Sequence, residues 1–314
     1  MSVVTLGETM GLLAADTVGH LQHVSTMRLG IGGAESNVAI ALARLGTPVI
    51  WIGRIGADSL GDRVVRELRA EGVDVHAVRD PGAPTGLMLK ERPPGGGVRV
   101  WYYRHRGAGA RLSPSDVDDE VIAGATLLHV TGITPALGDA PAKAVEHAVA
   151  VAREAGVTVS FDVNHRSTLW SDAEAAPVLR ALAASADVVF AGDGEAGLVL
   201  GTGTADPAEL ASGLADLGPS EVVIKLGEAG ALALVCGRVH RQEAFPVTVV
   251  DPVGAGDAFV GAYLAERVAG TEVPQRLRTA ARAGALMCTV PGDWEALPSR
   301  ADLARDFAAV DVRR

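Results

Sequence analysis

The segment Asp251-Pro252-Val253-Gly254-Ala255-Gly256-Asp257-Ala258-Phe259 carries the strongest chemical signal in the sequence. It is expected to follow a strand at 245–250 and to open a helix running through Ala262, Leu264, Ala265 and Val268. The small residues Gly254, Ala255 and Gly256 let backbone N–H groups converge at a helix N-terminus, an arrangement suited to a phosphate. A carboxylate at Asp257, in the first turn, is odd there. The helix dipole favours its ionised form, which would repel a resting phosphate. It makes sense as a base that accepts a hydroxyl proton while the N–H groups hold charge on a transferring phosphoryl group. The plainer alternative is a glycine turn followed by an Asp cap. A second stretch, Gly32-Gly33-Ala34-Glu35-Ser36-Asn37-Val38-Ala39, runs on to Arg44-Leu45-Gly46. Gly32 and Gly33 permit close backbone approach to a ligand. Asn37, in the first turn of a helix, offers both a donor and an acceptor to substrate hydroxyls. Read alone, this stretch is equally a glycine loop before a capped helix. It lacks the G-x-G-x-x-G spacing, and no Walker GxxxxGK[ST] occurs in the chain.

These residues need a scaffold. Short β-branched runs at 49–52, 126–130, 157–161, 187–190 and 222–224 read as buried strands, and 140–155, 173–184 and 207–217 as helices with apolar residues three and four apart. Such alternation implies right-handed crossovers and a parallel sheet covered on both faces. Strands at 10–15 and 27–31 have no helix between them. The runs at 86–91 and 98–104 flank Pro93-Pro94-Gly95-Gly96-Gly97 as a hairpin would. A few antiparallel strands cannot stand alone. Segments 10–15, 27–31 and 86–106 are therefore expected to form a small β-sheet lid over one edge of a single α/β domain spanning 1–314.

The 314 residues are 48% hydrophobic and 21% charged, which excludes wholesale disorder. A formal charge of -10 disfavours nucleic acid as the main partner. Cys236 and Cys288 form no CxxC unit and read as buried free thiols. The N-terminus has no basic region before an apolar core, and no apolar run approaches the roughly 18 residues of a membrane span. The expectation is a soluble cytoplasmic protein.

Together the two glycine stretches resemble the signatures of the ribokinase-like (PfkB) carbohydrate kinase family. The first follows GGxxxNxAxxxxxLG from Gly32 to Gly46, the second D-[TP]-x-GAGD from Asp251 to Asp257. Between them, Gly53-Arg54-Ile55-Gly56-Ala57-Asp58-Ser59-Leu60-Gly61 is similar to the family's GxxGxDxxG turn. The resemblance covers essentially the whole chain. It implies a three-layer α/β/α core with a mostly parallel sheet plus the lid, and phosphoryl transfer from ATP, with Mg2+, to a hydroxymethyl group of a small sugar or sugar-like substrate. Asp257 would be the base, and Gly254, Ala255 and Gly256 the anion hole. Lys225, Gly227 and Gly230 would lie beside the nucleotide, together with Gly254 and Gly256. The family's NxxE stretch falls at Gly192-Asp193-Gly194-Glu195. Glu195 would serve the magnesium ion indirectly, through water, while Gly192 stands in place of the asparagine. Pro252 replaces the commoner threonine.

Two cationic segments bear on the substrate. Trp101-Tyr102-Tyr103-Arg104 sits on the lid, and Phe161-Asp162-Val163-Asn164-His165-Arg166 ends a core strand, where α/β proteins place ligands. A sugar acid wants an arginine fork and tyrosine hydroxyls, whereas a neutral sugar wants hydroxyl partners. YYR, and DxNxR followed by Leu169-Trp170, resemble the 2-keto-3-deoxygluconate kinases of the family. That resemblance puts Gly33, Tyr102, Arg104, Arg166, Asp257 and Asp293 on the substrate side, beside Asn37 from the first glycine stretch, with Met88 where a tyrosine is usual. Structural ion pairing is the plainer role for Arg104 and Arg166, and an ordinary turn residue that for Asp293. His129 and His165 read as packing residues. Open alternatives are a kinase for a neutral sugar or nucleoside (fructokinase, ribokinase or adenosine kinase type) and a non-catalytic sugar or nucleotide sensor. An exposed apolar face on the lid would mark a homo-oligomer contact.

Overall fold

The computed structural model describes residues 2–305. β1 (Val3–Leu6) leads through Gly7 and Glu8 into β2 (Met10–Val18) and β3 (Met27–Gly32). Then come α1 (Ala34–Arg44), β4 (Val49–Gly56), α2 (Ser59–Ala70), β5 (Asp74–Asp80) and the hairpin of β6 (Leu87–Arg92) and β7 (Arg99–Tyr103). After the short α3 (Asp119–Ala123), strands and helices alternate as β8 (Leu127–Thr131), α4 (Asp139–Glu154), β9 (Thr158–Asp162), α5 (Asp172–Ser185) and β10 (Val188–Gly192). α6 (Asp193–Leu200) and α7 (Pro207–Ala215) precede β11 (Glu221–Lys225), β12 (Ala231–Val235) and β13 (Arg238–Gln242). α8 (Ala255–Val268), α9 (Val273–Met287) and α10 (Arg300–Ala304) complete the described chain.

The core strands read as unbroken apolar runs because both faces of their sheet are covered. In β10, Val188 and Phe190 enter the core beneath α1, α8 and α9, while Val189 and Ala191 enter the core beneath α4, α5 and α7. This gives three layers, with a nine-stranded sheet ordered β13-β12-β11-β10-β9-β8-β1-β4-β5 among the described residues. Neighbours from β11 to β5 pair in parallel, and β12 and β13 add an antiparallel edge. The chain runs outward from β1 to β4 and β5, then returns to place β8 on the other side of β1. The strand tips at that reversal are where an open α/β sheet leaves a crevice for a ligand.

The small sheet is ordered β3-β2-β6-β7. It is not wholly antiparallel, as expected, because its central pair, β2 and β6, is parallel. β3 already occupies one edge of β2 through the 10–32 hairpin, so β6 arrives on the other edge from a distance and takes the β2 direction. Two further corrections concern elements near the site. Residues 245–250 form no strand. Pro246 lacks the N–H a ladder needs, and the Val250 N–H bonds the Cys288 carbonyl at 2.8 Å instead. The thiols are free, but Cys236 is exposed and Cys288 half-buried. No helix among the described residues is long and apolar enough to cross a membrane.

Candidate active site

The nominated residues come together. Gly33, Asn37, Tyr102, Arg104, Arg166, Glu195, Lys225, Gly227, Gly230, Gly254, Ala255, Gly256, Asp257 and Asp293 all line one cavity of about 1240 Å3. Met88 and Gly192, the two departures from the family pattern, line it as well. The small sheet contributes Met10, Met88, Tyr102 and Arg104, and the core contributes strand tips and helix N-termini.

Asp257 is placed by a close helix crossing. Gly261 on α8 sits so near Ala41 on α1 that a Cβ there would overlap the Ala41 methyl. One turn earlier on each helix, the Asn37 Nδ2 donates to Asp257 Oδ2 at 2.8 Å. The small Gly261–Ala41 pair thus sets the separation at which Asn37 reaches Asp257. Asn37 therefore gives one of its two N–H donors to the protein, leaving the other and its Oδ1 to serve as the expected donor and acceptor. Its buried Oδ1 has no partner among the described residues. Burial, assisted by the negative charge of Asp162, pushes the Asp257 carboxyl up to about 7, although Asn37, Arg166 and Lys225 oppose the shift. The expectation that the helix dipole keeps this group ionised is thereby corrected, because desolvation outweighs it.

Gly254 caps α8 in the left-handed region at φ +79, and any Cβ there would strike the Asp293 carbonyl oxygen. Only glycine fits that turn. Gly230 holds a second such turn, at φ +92, between β11 and β12. Beside these turns, Lys225 ends β11 and grips both oxygens of Asp162, which ends β9, at 2.7 and 2.8 Å. Burial works against the Lys225 ammonium, yet Asp162, Glu195 and Asp257 raise its pKa above the ordinary lysine value. Glu195 accepts from the Gly192 N–H at 2.6 Å and the His165 N–H at 2.9 Å. Its carboxylate thus joins the tips of two strands, and a glycine suffices at 192 because only the backbone is used.

The two arginines differ. Arg104 is ion-paired with Glu8, which is 3% exposed, and its guanidinium lies 5.6 Å from the Tyr102 ring centroid. Arg166 is exposed and has no ion-pair partner among the described residues. Asp293 is no ordinary turn residue. It is buried, and Lys90 holds it at 2.9 Å. His129 is packing, as expected. Its Nδ1 meets Ser160 Oγ at 3.1 Å, and burial, with Lys225 adding, drives its pKa down to about 3.

Several residues escaped sequence reasoning. Glu8 follows β1 and gives no local signal, since its partner lies 96 positions away in the chain. Asp162 had a signal, being an acid at a strand tip. The walls contributed by Phe245, Pro246, Val247 and Val249 lie in the segment read as a strand, and Ala281, Gly284, Ala285 and Cys288 of α9 or its end line the same cavity. The result is a cavity whose walls carry the 254–256 glycine turn, the Lys225 ammonium and four carboxyls raised by burial, Glu8, Glu35, Asp257 and Asp293. That chemistry suits moving a phosphoryl group to a hydroxyl.

A model of the pfkB family carbohydrate kinases matches residues 1–300. The chain belongs to this family. The kinase is 39% identical over 304 residues to the 2-dehydro-3-deoxygluconokinase of Thermoproteus tenax, covering 95% of this chain and 92% of that one. It is 38% identical over 313 residues to the 2-dehydro-3-deoxygluconokinase of Bacillus subtilis (strain 168), covering 98% and 96%. The solved structure of 2-dehydro-3-deoxygluconokinase from Thermotoga maritima superposes with a TM-score of 0.91 at 30% identity, covering 96% of this carbohydrate kinase and 97% of that chain.

Proposed function

We propose that this carbohydrate kinase transfers the γ-phosphoryl group of ATP to the terminal hydroxyl of a sugar acid, 2-keto-3-deoxygluconate, giving its 6-phosphate. The observation that carries the acid is the presence of two guanidinium groups, Arg104 and Arg166, on the cavity that holds Asp257. Such forks bind carboxylates. The names of the relatives above support the same substrate.

In this reading Asp257 takes the proton of the attacking hydroxyl. A carboxyl held at about 7 is matched to that task near neutral pH. Asn37 fixes the carboxylate and leaves its Oδ1 for the acceptor. The N–H groups of Gly254 and Gly256 stabilise the charge that grows on the phosphoryl oxygens; that of Ala255, which bonds the Pro252 carbonyl at 3.2 Å, joins them only by giving up that bond. Gly33, Tyr102, Arg104, Arg166 and Asp293 hold the acceptor, and Lys225, Gly227 and Gly230 flank the nucleotide. Glu195, a hard oxygen donor, suits a magnesium ion held through water, whereas both Asp162 oxygens are taken by Lys225. When bound, that ion neutralises phosphate charge. The small sheet acts as a lid that excludes water. Its exposed Trp101 and Tyr103 give a second copy a place to dock.

The Glu8 pairing neutralises Arg104, which favours a second reading in which the acceptor is a neutral sugar. Magnesium-dependent ADP release with 2-keto-3-deoxygluconate, fructose, ribose and adenosine in parallel separates the two. The acid should be turned over fastest. Faster turnover of fructose or ribose would overturn the sugar-acid assignment and keep the kinase.

A further inference from the structure

Lys90 sits on β6, two residues beyond the cavity-lining Met88 and on the same face of the strand. Its side chain is only 5% exposed, which is rare for a lysine. Three oxygens surround its ammonium: Asp251 Oδ2 at 2.8 Å, Asp293 Oδ1 at 2.9 Å and the Gly292 carbonyl at 2.8 Å. Two of these contacts are hydrogen bonds, to Asp293 and Gly292, and the third is an ion pair with Asp251. The acceptors belong to two core segments that meet at the phosphate turn. Asp251 opens the 251–257 segment and accepts the Val253 N–H at 3.1 Å with one oxygen and the Gly292 N–H at 3.3 Å with the other. The Asp293 carbonyl lies against Gly254, in the space a side chain there would need. A second cation of the same strand, Arg92, donates to the Val250 carbonyl at 3.2 Å. The small sheet therefore presents two cations to the start of the phosphate turn.

A buried cluster of this kind is a poor stability device, since desolvation offsets most of the attraction. Its value is geometric. We propose that Lys90 is a positioning residue for phosphoryl transfer: its ammonium, bridging Asp251 and Asp293, fixes the 251–254 turn and makes that turn's shape depend on the docking of the small sheet. The inference rests on the role given above to the 254–257 N–H groups. It adds that the acceptor-binding sheet and the phosphoryl-binding turn are one mechanical unit. With the sheet undocked, both carboxylates lose their counter-ion and the turn loses its clamp, so ATP is not primed for attack by water.

Lys90→Met keeps the bulk of the stem and removes the ammonium. With kcat normalised to the number of nucleotide sites counted by calorimetric titration, it should fall by about a hundredfold, the effect of displacing reacting groups by about 1 Å. The KM values for ATP and acceptor should stay within about threefold, as for an interaction made only in the transition state. A normalised kcat within about threefold of the parent, or a loss accounted for entirely by missing nucleotide sites, would overturn the proposal. Should Lys90→Met not fold, Lys90→Gln retains two N–H donors without charge and is read the same way. Its normalised kcat should fall by about tenfold, and parental turnover would overturn the proposal. Asp257→Asn, assayed beside them, separates the two levels of argument. Normal turnover in Asp257→Asn would refute the reading of the 254–257 turn, whereas normal turnover in Lys90→Met beside an inert Asp257→Asn would refute the Lys90 role alone.

Discussion

Replacing Asp257 by asparagine should abolish turnover and stabilise the protein, and the stabilisation should grow with pH. In the unfolded chain this carboxyl has its ordinary value of 3.8, whereas burial holds it at about 7 in the folded chain. Between those values the folded state keeps a proton that the unfolded state has lost. The group therefore lowers stability progressively as pH rises through that window, and its full cost is present above the folded value. Each unit is worth 1.36 kcal/mol. The penalty is thus about 2 kcal/mol at pH 5 and about 4 kcal/mol at pH 8, the latter an upper figure. Asn37 can donate to an amide oxygen as well as to a carboxylate, so its own N–H keeps a partner, and its unpaired Oδ1 can accept from the new amide. Urea unfolding of the parent and Asp257→Asn at both pH values measures the difference. The gap should widen by roughly 2 to 3 kcal/mol from pH 5 to pH 8. An equal gap at the two pH values, or a variant less stable than the parent at pH 8, would refute the argument that burial sets this group. A residue that costs stability and is retained for turnover is the expected trade at an active site.

Three further outcomes follow from the same geometry. In Asn37→Ala, the rising limb of the kcat/KM–pH profile should move up by about one unit, because a hydrogen bond to the charged form is lost; an unmoved limb would show that Asn37 does not tune Asp257. Gly261→Leu should drive α1 and α8 apart at Ala41, costing about 1–3 kcal/mol in thermal or urea unfolding and lowering kcat more than the KM values; parental kcat would sever the crossing from the site. Arg166→Ala should raise the KM for the sugar acid about tenfold or more while leaving the KM for ATP alone, and a steady-state comparison showing no change for the acid would shift recognition to Arg104.

The chemistry was more legible in the sequence than the framework of charge around it. The 32–46 and 251–257 stretches announced themselves because glycine is demanded locally: at Gly254 by a positive φ, and at Gly33 because a Cβ would strike the Glu8 carbonyl. Buried strands were readable because β10 and its neighbours are apolar on both faces. What sequence could not yield were pairings between distant positions. Glu8 with Arg104, Asn37 with Asp257 and Lys90 with Asp251 each join segments whose proximity only the fold decides. The misassigned strand at 245–250 shows the other limit. A β-branched run resembles a strand wherever it lies, and only the loss of a donor at Pro246 and the carbonyl of Cys288 divert it.

The placement of β1 bears on how the protein is made. Val3 pairs with Val49 on one side and with Leu127 on the other. At a synthesis rate of about 5–20 residues per second, the second partner leaves the ribosome roughly 6–25 seconds after β1. Throughout that interval a wholly buried strand of the finished protein has an unpaired edge and an uncovered apolar face, the combination that invites association with other nascent chains. Among the described strands of the large sheet, β1 waits longest for its second neighbour, and its open edge is a segment that a chaperone would protect during synthesis.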